Sequence, residues 1–331
     1  MFGSWKKKPV VGLGLGVGLL GAVALAVRYR MGRVSRSPIP DAISPAIFST
    51  RVARTIHGEM IYHLSGAGNP LVFLHGFFLG ASSYEWSKVY PHFAMDHEVL
   101  APDLIGFGES ERPAASMDAG DYAESLAEFL REVAPGRPVV LVASGLTAGI
   151  SLLLAARHPE LVSRLILFLP TGLKESVKWR AMGMMALSGL PGINRFVYRN
   201  YLARAPFIRR WLTRLALANP SKLSEEMVDI LATCAQQYGA EHAILGVLRG
   251  RLAFDVEKRL PDVMVPVHIL WPDRADGFPL LSGESICRKL ALGSLEVLPD
   301  CGLLAALENP ELVAPVLAQS LGGHLKAVPN G

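Results

Sequence analysis

A buried strand that leads through a short turn into a helix is the feature that most constrains this chain. The apolar run at residues 138–142 predicts a strand, and the small and apolar residues from 146 to 157 predict a helix that packs on it. Only Ala143, Ser144 and Gly145 separate the two. The sequence therefore predicts a tight strand-turn-helix elbow at this place.

Other strand-to-loop transitions lie on both sides of the elbow. The apolar run 71–74 is followed by His-Gly-Phe-Phe, and residues 103–110, after the next strand, read Asp-Leu-Ile-Gly-Phe-Gly-Glu-Ser. Downstream, another apolar run ends at Trp271, and residues 298–311 read Leu-Pro-Asp-Cys-Gly-Leu-Leu-Ala-Ala-Leu-Glu-Asn-Pro-Glu. The order and spacing of these motifs indicate a fold more specifically than any single motif does.

Together these motifs resemble the α/β-hydrolase superfamily over about residues 45 to 322. The resemblance implies an α/β fold in which helices flank a mostly parallel, twisted sheet. It implies a core made of residues 45–172 and 263–322, with a helical cap inserted at residues 173–262 over the mouth of the site. A backbone N–H of the His-Gly loop would help to form an oxyanion hole.

The nucleophile position is the first departure from the family pattern. In the family's G-x-S-x-G elbow, small residues two places on either side of the nucleophile let the strand and helix pass closely. Centred on Gly145, the flanking residues are Ala143 and Thr147, whereas centred on Ser144 both flanks are bulky. We therefore place Gly145 at the nucleophile position. The alternative is that Ser144 acts from a shifted turn.

The other two positions of the family's catalytic triad are also replaced. The acid position, usually four residues after the tryptophan, falls on Ala275, and the general-base position in the last motif falls on Leu303. Nucleophilic catalysis needs a hydroxyl or thiol, a base within hydrogen-bond reach and a group that orients the base. The sequence therefore predicts a fold retained without its hydrolytic triad. The groups that could act instead are Ser144, His75, Asp103 and Asp276.

The main functional hypothesis is a non-catalytic protein that binds an apolar small molecule or a protein partner. The alternative is an active hydrolase of ester or lipid-like substrates with a non-standard catalytic set. No cofactor is implied, and no metal site is expected, because the three cysteines are scattered without a C-x-x-C pair. The predicted pocket consists of His75, Gly76, Phe77, Ser144, Gly145, Leu146 and Leu303.

The N-terminal region predicts a membrane anchor. A basic segment at residues 1–8 precedes an uncharged run at 9–27, and a span of about 20 apolar residues is enough to cross a bilayer. Its G-x-x-x-G spacing suggests a second transmembrane helix or a membrane-complex subunit as a partner. The competing reading is a cleaved signal peptide with Ala26 at the cleavage site. A linker at 28–44 follows, and residues 323–331 form a tail.

The distribution of charged residues predicts the orientation of the membrane span but does not indicate a nucleic-acid function. Lysine and arginine near the ends of the predicted span slightly favour a single-pass protein with its globular domain on the cytoplasmic side. The formal net charge of +4 is explained by these flanks and by the arginine- and aromatic-rich segment 195–217. That segment is typical either of a helix at a lipid interface or of a solvated face of the cap. No nucleic-acid partner is expected.

Overall fold

Mostly apolar runs form the central strands, as expected for a parallel sheet that is buried on both faces. The computed structural model describes residues 45, 47–115, 117–171, 192–252, 254–255 and 257–322. All of them belong to the unit that spans residues 37–331. Within these residues one sheet is formed by β1 (Ser49–Thr55), β2 (Gly58–Ser65), β3 (Asn69–Leu74), β4 (His97–Pro102), β5 (Val139–Ser144), β6 (Val162–Phe168), β7 (Val267–Pro272) and β8 (Gly293–Leu298).

The order of the strands across the sheet is β1-β2-β4-β3-β5-β6-β7-β8. The β1–β2 and β2–β4 pairs are antiparallel, and the remaining neighbours are parallel. The predicted α/β fold with a mostly parallel sheet is thereby confirmed. The helices are α1 (Ala119–Val133), α2 (Gly145–Arg157), α3 (Ile193–Val197), α4 (Ala205–Trp211), α5 (Glu225–Ala235), α6 (Ala240–Leu248), α7 (Leu280–Lys289), α8 (Ala305–Glu308) and α9 (Pro310–Ser320).

Alternation along each strand divides the core into two layers, because successive side chains of a strand point to opposite faces. On β3, Val72 and Leu74 pack into the layer that also contains buried residues of α1 and α2. Leu71 and Phe73, their neighbours in sequence, pack into the other layer with Trp86. The sheet is therefore covered on both faces at its centre, where the site is built.

The start of α1 is fixed by local hydrogen bonds. The Asp118 side chain accepts the Asp121 N–H at 2.9 Å, and the Asp121 side chain accepts the Asp118 N–H at 2.8 Å. This reciprocal cap satisfies two N–H groups that the first helical turn leaves without partners. The loop after β4 ends at this cap, and α1 packs against α2.

Three loops of the candidate site leave the same edge of the sheet. His75 follows β3, Asp103 follows β4, and Gly145 follows β5. Because β4, β3 and β5 are adjacent and parallel, their carboxyl ends lie side by side. Ligand sites of open α/β sheets lie at this edge, where the strand order reverses.

Helices α3 to α6 lie between β6 and β7, inside the segment predicted as a cap. Two π-helical turns, Tyr198–Leu202 and Leu212–Ala216, follow α3 and α4 and divide the arginine-rich segment into short pieces. The first part of the predicted cap, residues 172–191, lies outside the described residues.

The predicted single-pass membrane localisation is corrected by the structure. Over the residues it describes, no helix combines the length and the apolar character that crossing a bilayer requires. The predicted span 9–27, its basic flank 1–8, the linker 28–44 and the tail 323–331 all lie outside those residues.

Candidate active site

Gly145 lies at the turn between β5 and α2, with a φ of +56°. This left-handed conformation is strained for residues that have a Cβ, and glycine adopts it freely. The turn is held from both sides, because Thr171 N–H donates to the Gly145 carbonyl at 3.0 Å and Thr147 Oγ1 donates to the His75 carbonyl at 2.6 Å. A Cβ on Gly145 would have no neighbour within 4 Å. The elbow therefore keeps its shape and its open space without a nucleophilic side chain at this residue.

The expected acid and base positions hold no ionisable group either. Leu303 contributes its side chain to the same cavity as Gly145. Ala275 is buried in the loop after β7 and lines a neighbouring depression instead. Asp276, the nearest carboxylate to the acid position, is exposed and lines that same depression. A standard triad is therefore not assembled from these three positions.

His75, which the sequence predicts as a pocket residue, is not among the described residues that line the cavity. The ring is fully buried, its Nδ1 donates to the Gly76 carbonyl at 2.8 Å, and its Nε2 accepts the Leu104 N–H at 3.0 Å. Burial lowers the pKa of the imidazole, which favours the neutral ring. Both ring nitrogens are used to hold loops, so His75 is not placed to act as a general base.

Asp103 is likewise committed to backbone contacts. It is fully buried, and its Oδ1 accepts the Ser83 N–H at 2.6 Å while its Oδ2 accepts the Glu109 N–H at 2.7 Å. The carboxylate thus ties the loop after β4 to the 3-10 turn Ser83–Trp86. Asp103 positions the loops around the site and does not line the cavity that contains Gly145.

Ser144 instead finds a partner that the sequence did not indicate. Its Oγ donates a hydrogen bond to Oε1 of Glu85 at 2.6 Å, and both residues are buried and contribute to the cavity wall. The Gly76 N–H donates to the other oxygen of Glu85 at 2.7 Å. The fold thereby brings together a hydroxyl, a carboxylate and a group that orients the carboxylate, beside the turn between β5 and α2.

A glycine at residue 76 is required for this arrangement. A Cβ on Gly76 would lie 2.9 Å from Ser144 Oγ, closer than such contacts normally come. The absence of a side chain lets the backbone approach the Ser144–Glu85 pair. The His-Gly loop therefore keeps its glycine for a packing reason that involves Ser144 directly.

Burial raises the pKa of Glu85 to about 7. Desolvation disfavours the charged carboxylate, while the hydrogen bonds from Ser144 and from the Gly76 N–H partly offset this effect. Near neutral pH the carboxyl group can consequently take up or release a proton. A general base is most effective when its pKa lies close to the working pH.

The cavity above the pair has a volume of about 270 Å³ and is predominantly apolar. Helix α4, in the segment predicted as a cap, covers part of it, because Trp211 at the end of α4 stacks on Phe78 with ring centroids 5.8 Å apart. Among the described lining residues, Glu85 is the one ionisable side chain. The lining residues are Gly76, Phe77, Phe78, Glu85, Ser144, Gly145, Leu146, Leu169, Thr171, Trp211, Val247, Leu252, Phe278, Leu303 and Leu304.

Cys301 lies two residues before the expected base position, but it is not an activated nucleophile. The thiol is buried, and burial raises its pKa. The thiolate, which is the reactive form, is therefore disfavoured at neutral pH. Cys301 packs as a small apolar residue in the core layer that contains α9.

Comparison with known proteins supports the same fold. A sequence profile of the alpha/beta hydrolase family matches residues 71–316. An uncharacterised protein of Mycobacterium tuberculosis is 32% identical over 282 residues, which cover 82% of this chain and 80% of that protein. The 2-hydroxymuconate semialdehyde hydrolase of Pseudomonas sp. is 38% identical over 125 residues, which cover 38% of this chain and 44% of the enzyme.

Solved structures give a consistent picture. A membrane phospholipase A, a bacterial virulence factor, is 26% identical with a TM-score of 0.69, over 93% of this chain and 97% of that one. A serine hydrolase of carbazole degradation is 21% identical with a TM-score of 0.70, over 83% of this chain and 99% of that one, and shows the fold alone. The matched profile covers most of the described residues, and on this ground the chain belongs to the alpha/beta hydrolase family.

Proposed function

We propose that this chain hydrolyses uncharged esters of apolar acids, lipid-like esters included, with Ser144 as the nucleophile and Glu85 as the general base. The observation that carries the proposal is the 2.6 Å hydrogen bond between Ser144 Oγ and Glu85 Oε1 in the wall of an apolar cavity. Relatives named as hydrolases and a structural neighbour named as a phospholipase support the reaction class. This function corresponds to the alternative hypothesis drawn from the sequence.

The geometry suggests a two-step reaction. In the first step Glu85 accepts the Ser144 hydroxyl proton while Oγ attacks the ester carbonyl carbon, and the protonated carboxyl then donates this proton to the leaving alcohol. In the second step Glu85 takes a proton from the water that attacks the acyl-serine carbonyl. The bond to Ser144 Oγ then breaks, Glu85 returns the proton to that oxygen, and the acid is released. The first N–H groups of α2 have no partner within the helix and are suited to bind the developing oxyanion.

The cavity wall favours an uncharged substrate. Aromatic and aliphatic side chains dominate the lining, so burial of an acyl chain there contributes about 25 cal/mol per Å² of apolar surface. A substrate carboxylate would meet no cationic side chain among the described lining residues, and an ionised Glu85 would repel it. We therefore expect neutral acyl esters to be preferred to anionic ones.

The proposal predicts that Ser144→Ala and Glu85→Gln each lower turnover of p-nitrophenyl butyrate by at least about a hundredfold, since each removes one half of the nucleophile-base pair. Wild-type turnover should rise with pH and level off above about 7, as Glu85 ionises. A fluorophosphonate probe should label wild-type protein at Ser144, as read by intact mass and peptide mapping.

Ser151→Ala is the matched control. Its hydroxyl is buried in α2, where it donates to the Thr147 carbonyl at 2.9 Å, and it is not among the lining residues. Turnover and labelling should be unchanged in this variant. Turnover by Ser144→Ala equal to that of the wild type would refute the assignment of the nucleophile.

A second candidate is binding of an apolar small molecule without turnover, which is the main hypothesis drawn from the sequence. The observation that favours it is the replacement of all three triad positions, by Gly145, Ala275 and Leu303. Trp211 lies in the cavity wall and offers a fluorescence signal for ligand binding. A fluorescence change on addition of a non-hydrolysed ether analogue, absent in Trp211→Phe, would show that the analogue enters this cavity. Together with absent probe labelling of wild-type protein, it would favour this second function.

A further inference from the structure

Three potential metal ligands meet beside the loop that follows β4, outside the cavity. His63 belongs to β2, Asp103 follows β4, and Glu109 lies further along the same loop. One ligand atom of each residue lies within 4.8 Å of those of the other two. The antiparallel pairing of β2 with β4, in which His63 is opposite Ala101, brings the histidine to this loop.

His63 has a ring nitrogen that its surroundings leave unsatisfied. The side chain is only 3% exposed, and its Nε2 has no hydrogen-bond partner among the described residues. The nearest carboxylate oxygen, Glu109 Oε2, lies 3.6 Å away, beyond hydrogen-bond distance. A buried polar atom without a partner is unusual in a folded protein, and a bound ion is one of its ordinary explanations.

A hydrogen bond at the second ring nitrogen, Nδ1, can fix the tautomer of His63. Its Nδ1 lies 3.4 Å from Oγ1 of Thr50, directly across the β1–β2 pair. If Nδ1 carries the proton and donates it to Thr50, the lone pair of Nε2 faces the two carboxylates. Histidines that bind metals are commonly oriented by such a hydrogen bond from the second nitrogen.

The carboxylates keep the capacity to bind an ion. Each oxygen of Asp103 accepts one backbone N–H, from Ser83 or Glu109, and each retains a further lone pair. Glu109 has a side chain that is 32% exposed, so it can rotate toward an ion and offers a path from solvent. Ligation would therefore break neither of the backbone contacts of Asp103.

Charge and ligand type select the kind of ion. One neutral imidazole and two carboxylates carry two negative charges, which the nearby Arg112 guanidinium balances only in part. Nitrogen-containing sites suit first-row transition ions better than Mg²⁺ or Ca²⁺. Ligands at about 2.0–2.2 Å from Zn²⁺ lie roughly 3.3–3.6 Å apart, close to the 3.6 Å between His63 and Glu109.

We propose that His63, Asp103 and Glu109 form a binding site for a divalent first-row transition ion, with Zn²⁺ as the best match. The site would join β2 to the loop after β4 and so brace the loop that Asp103 connects to the turn Ser83–Trp86. This differs from the sequence-based expectation of no metal site. It also does not depend on the proposed ester hydrolysis.

The test is metal binding to the full, tag-free chain after dialysis against a chelator. Titration calorimetry with Zn²⁺ should show one site, and Co²⁺ should give a d–d absorption band that Zn²⁺ abolishes. His63→Gln and Glu109→Gln should each weaken Zn²⁺ binding by at least about tenfold, because each removes a ligand. Added Zn²⁺ should raise the melting temperature of the wild type and not that of these variants.

His57→Gln is the matched control, since His57 lies on the same hairpin and faces Asp121 at 3.8 Å. It should bind Zn²⁺ and Co²⁺ like the wild type. Glu109 is partly exposed, so Glu109→Gln remains informative if His63→Gln does not fold. Equal Zn²⁺ affinity in the wild type and Glu109→Gln, or no binding by the folded wild type, would overturn the proposal.

Discussion

The buried surroundings of Glu85 favour the neutral form of its carboxyl group. Its pKa is about 7 in the folded chain, against 4.5 for an unperturbed glutamate. Between these values the folded state binds a proton that the unfolded state has lost. The free energy of unfolding therefore falls as pH rises from about 4.5 to about 7, by roughly 3 kcal/mol in total, and changes no further from this source above that range.

Glu85→Gln should remove this pH dependence. Relative to the wild type, the variant should gain about 3 kcal/mol of unfolding free energy on going from pH about 4.5 to pH about 8, because an amide stays neutral throughout. Urea denaturation at both pH values measures the difference. Glu284→Gln, on the exposed face of α7, gives the background of a surface substitution. A Glu85→Gln difference that does not change with pH would contradict the raised pKa.

The residues of the site were predictable to different degrees. Gly145 and Leu303 could be placed because they occupy fixed positions in motifs of known spacing. Glu85 could not, because charged residues are seldom fully buried and nothing in Ser-Ser-Tyr-Glu-Trp shows that Ser144 lies opposite. The motif of His75 predicts a residue near the site, but the direction of its ring depends on the hydrogen bond from the Leu104 N–H.

At the scale of elements, the central strands were predictable because they are continuous apolar runs. Predicted strands at 71–74 and 138–142 correspond to β3 (Asn69–Leu74) and β5 (Val139–Ser144). The division of the segment 195–217 by two π-helical turns was not predictable, since no proline or glycine marks the turn at Tyr198–Leu202. Such turns depend on how this segment packs and not on local propensity.

The close approach of α2 to the loop after β6 gives a prediction at this scale. A Cβ on Gly149 would lie 2.0 Å from the Thr171 carbonyl oxygen, so Gly149→Ala should destabilise the protein by about 2 kcal/mol or more despite the higher helix propensity of alanine. Chemical denaturation measures this. Gly145→Ala, at the start of the same helix, has open space and should cost only about 1 kcal/mol for its positive φ. Equal losses in the two variants would show that the carbonyl moves aside freely.

For the whole molecule, a triad would have to be assembled from three separate segments. Gly145 and Leu303 share one cavity, but Ala275 is buried beside another depression. A carboxylate at residue 275 is therefore not brought to the cavity wall by the present fold. This is why the family resemblance predicts the fold more securely than the chemistry.

The triple variant Gly145→Ser, Ala275→Asp and Leu303→His should accordingly fail to become an efficient esterase. Burying a new acid and a new base without partners should also lower the unfolding free energy by about 1–3 kcal/mol or more. Ester turnover and thermal melts of the variant and the wild type measure both effects. A rapid acyl-enzyme burst with an unchanged melting temperature would mean that the family's geometry survives in this chain.

The carboxylates of Glu85 and Asp103 accept backbone N–H groups from loops, and this affects how those loops open to solvent. These two buried side chains accept hydrogen bonds from the backbone N–H groups of Gly76, Ser83 and Glu109. Their hydrogens should exchange with deuterium about as slowly as those of the central strands, because release requires exposing a buried carboxyl group. These three loop residues would then be as well protected from hydrogen exchange as the most stable cooperative unit of the protein.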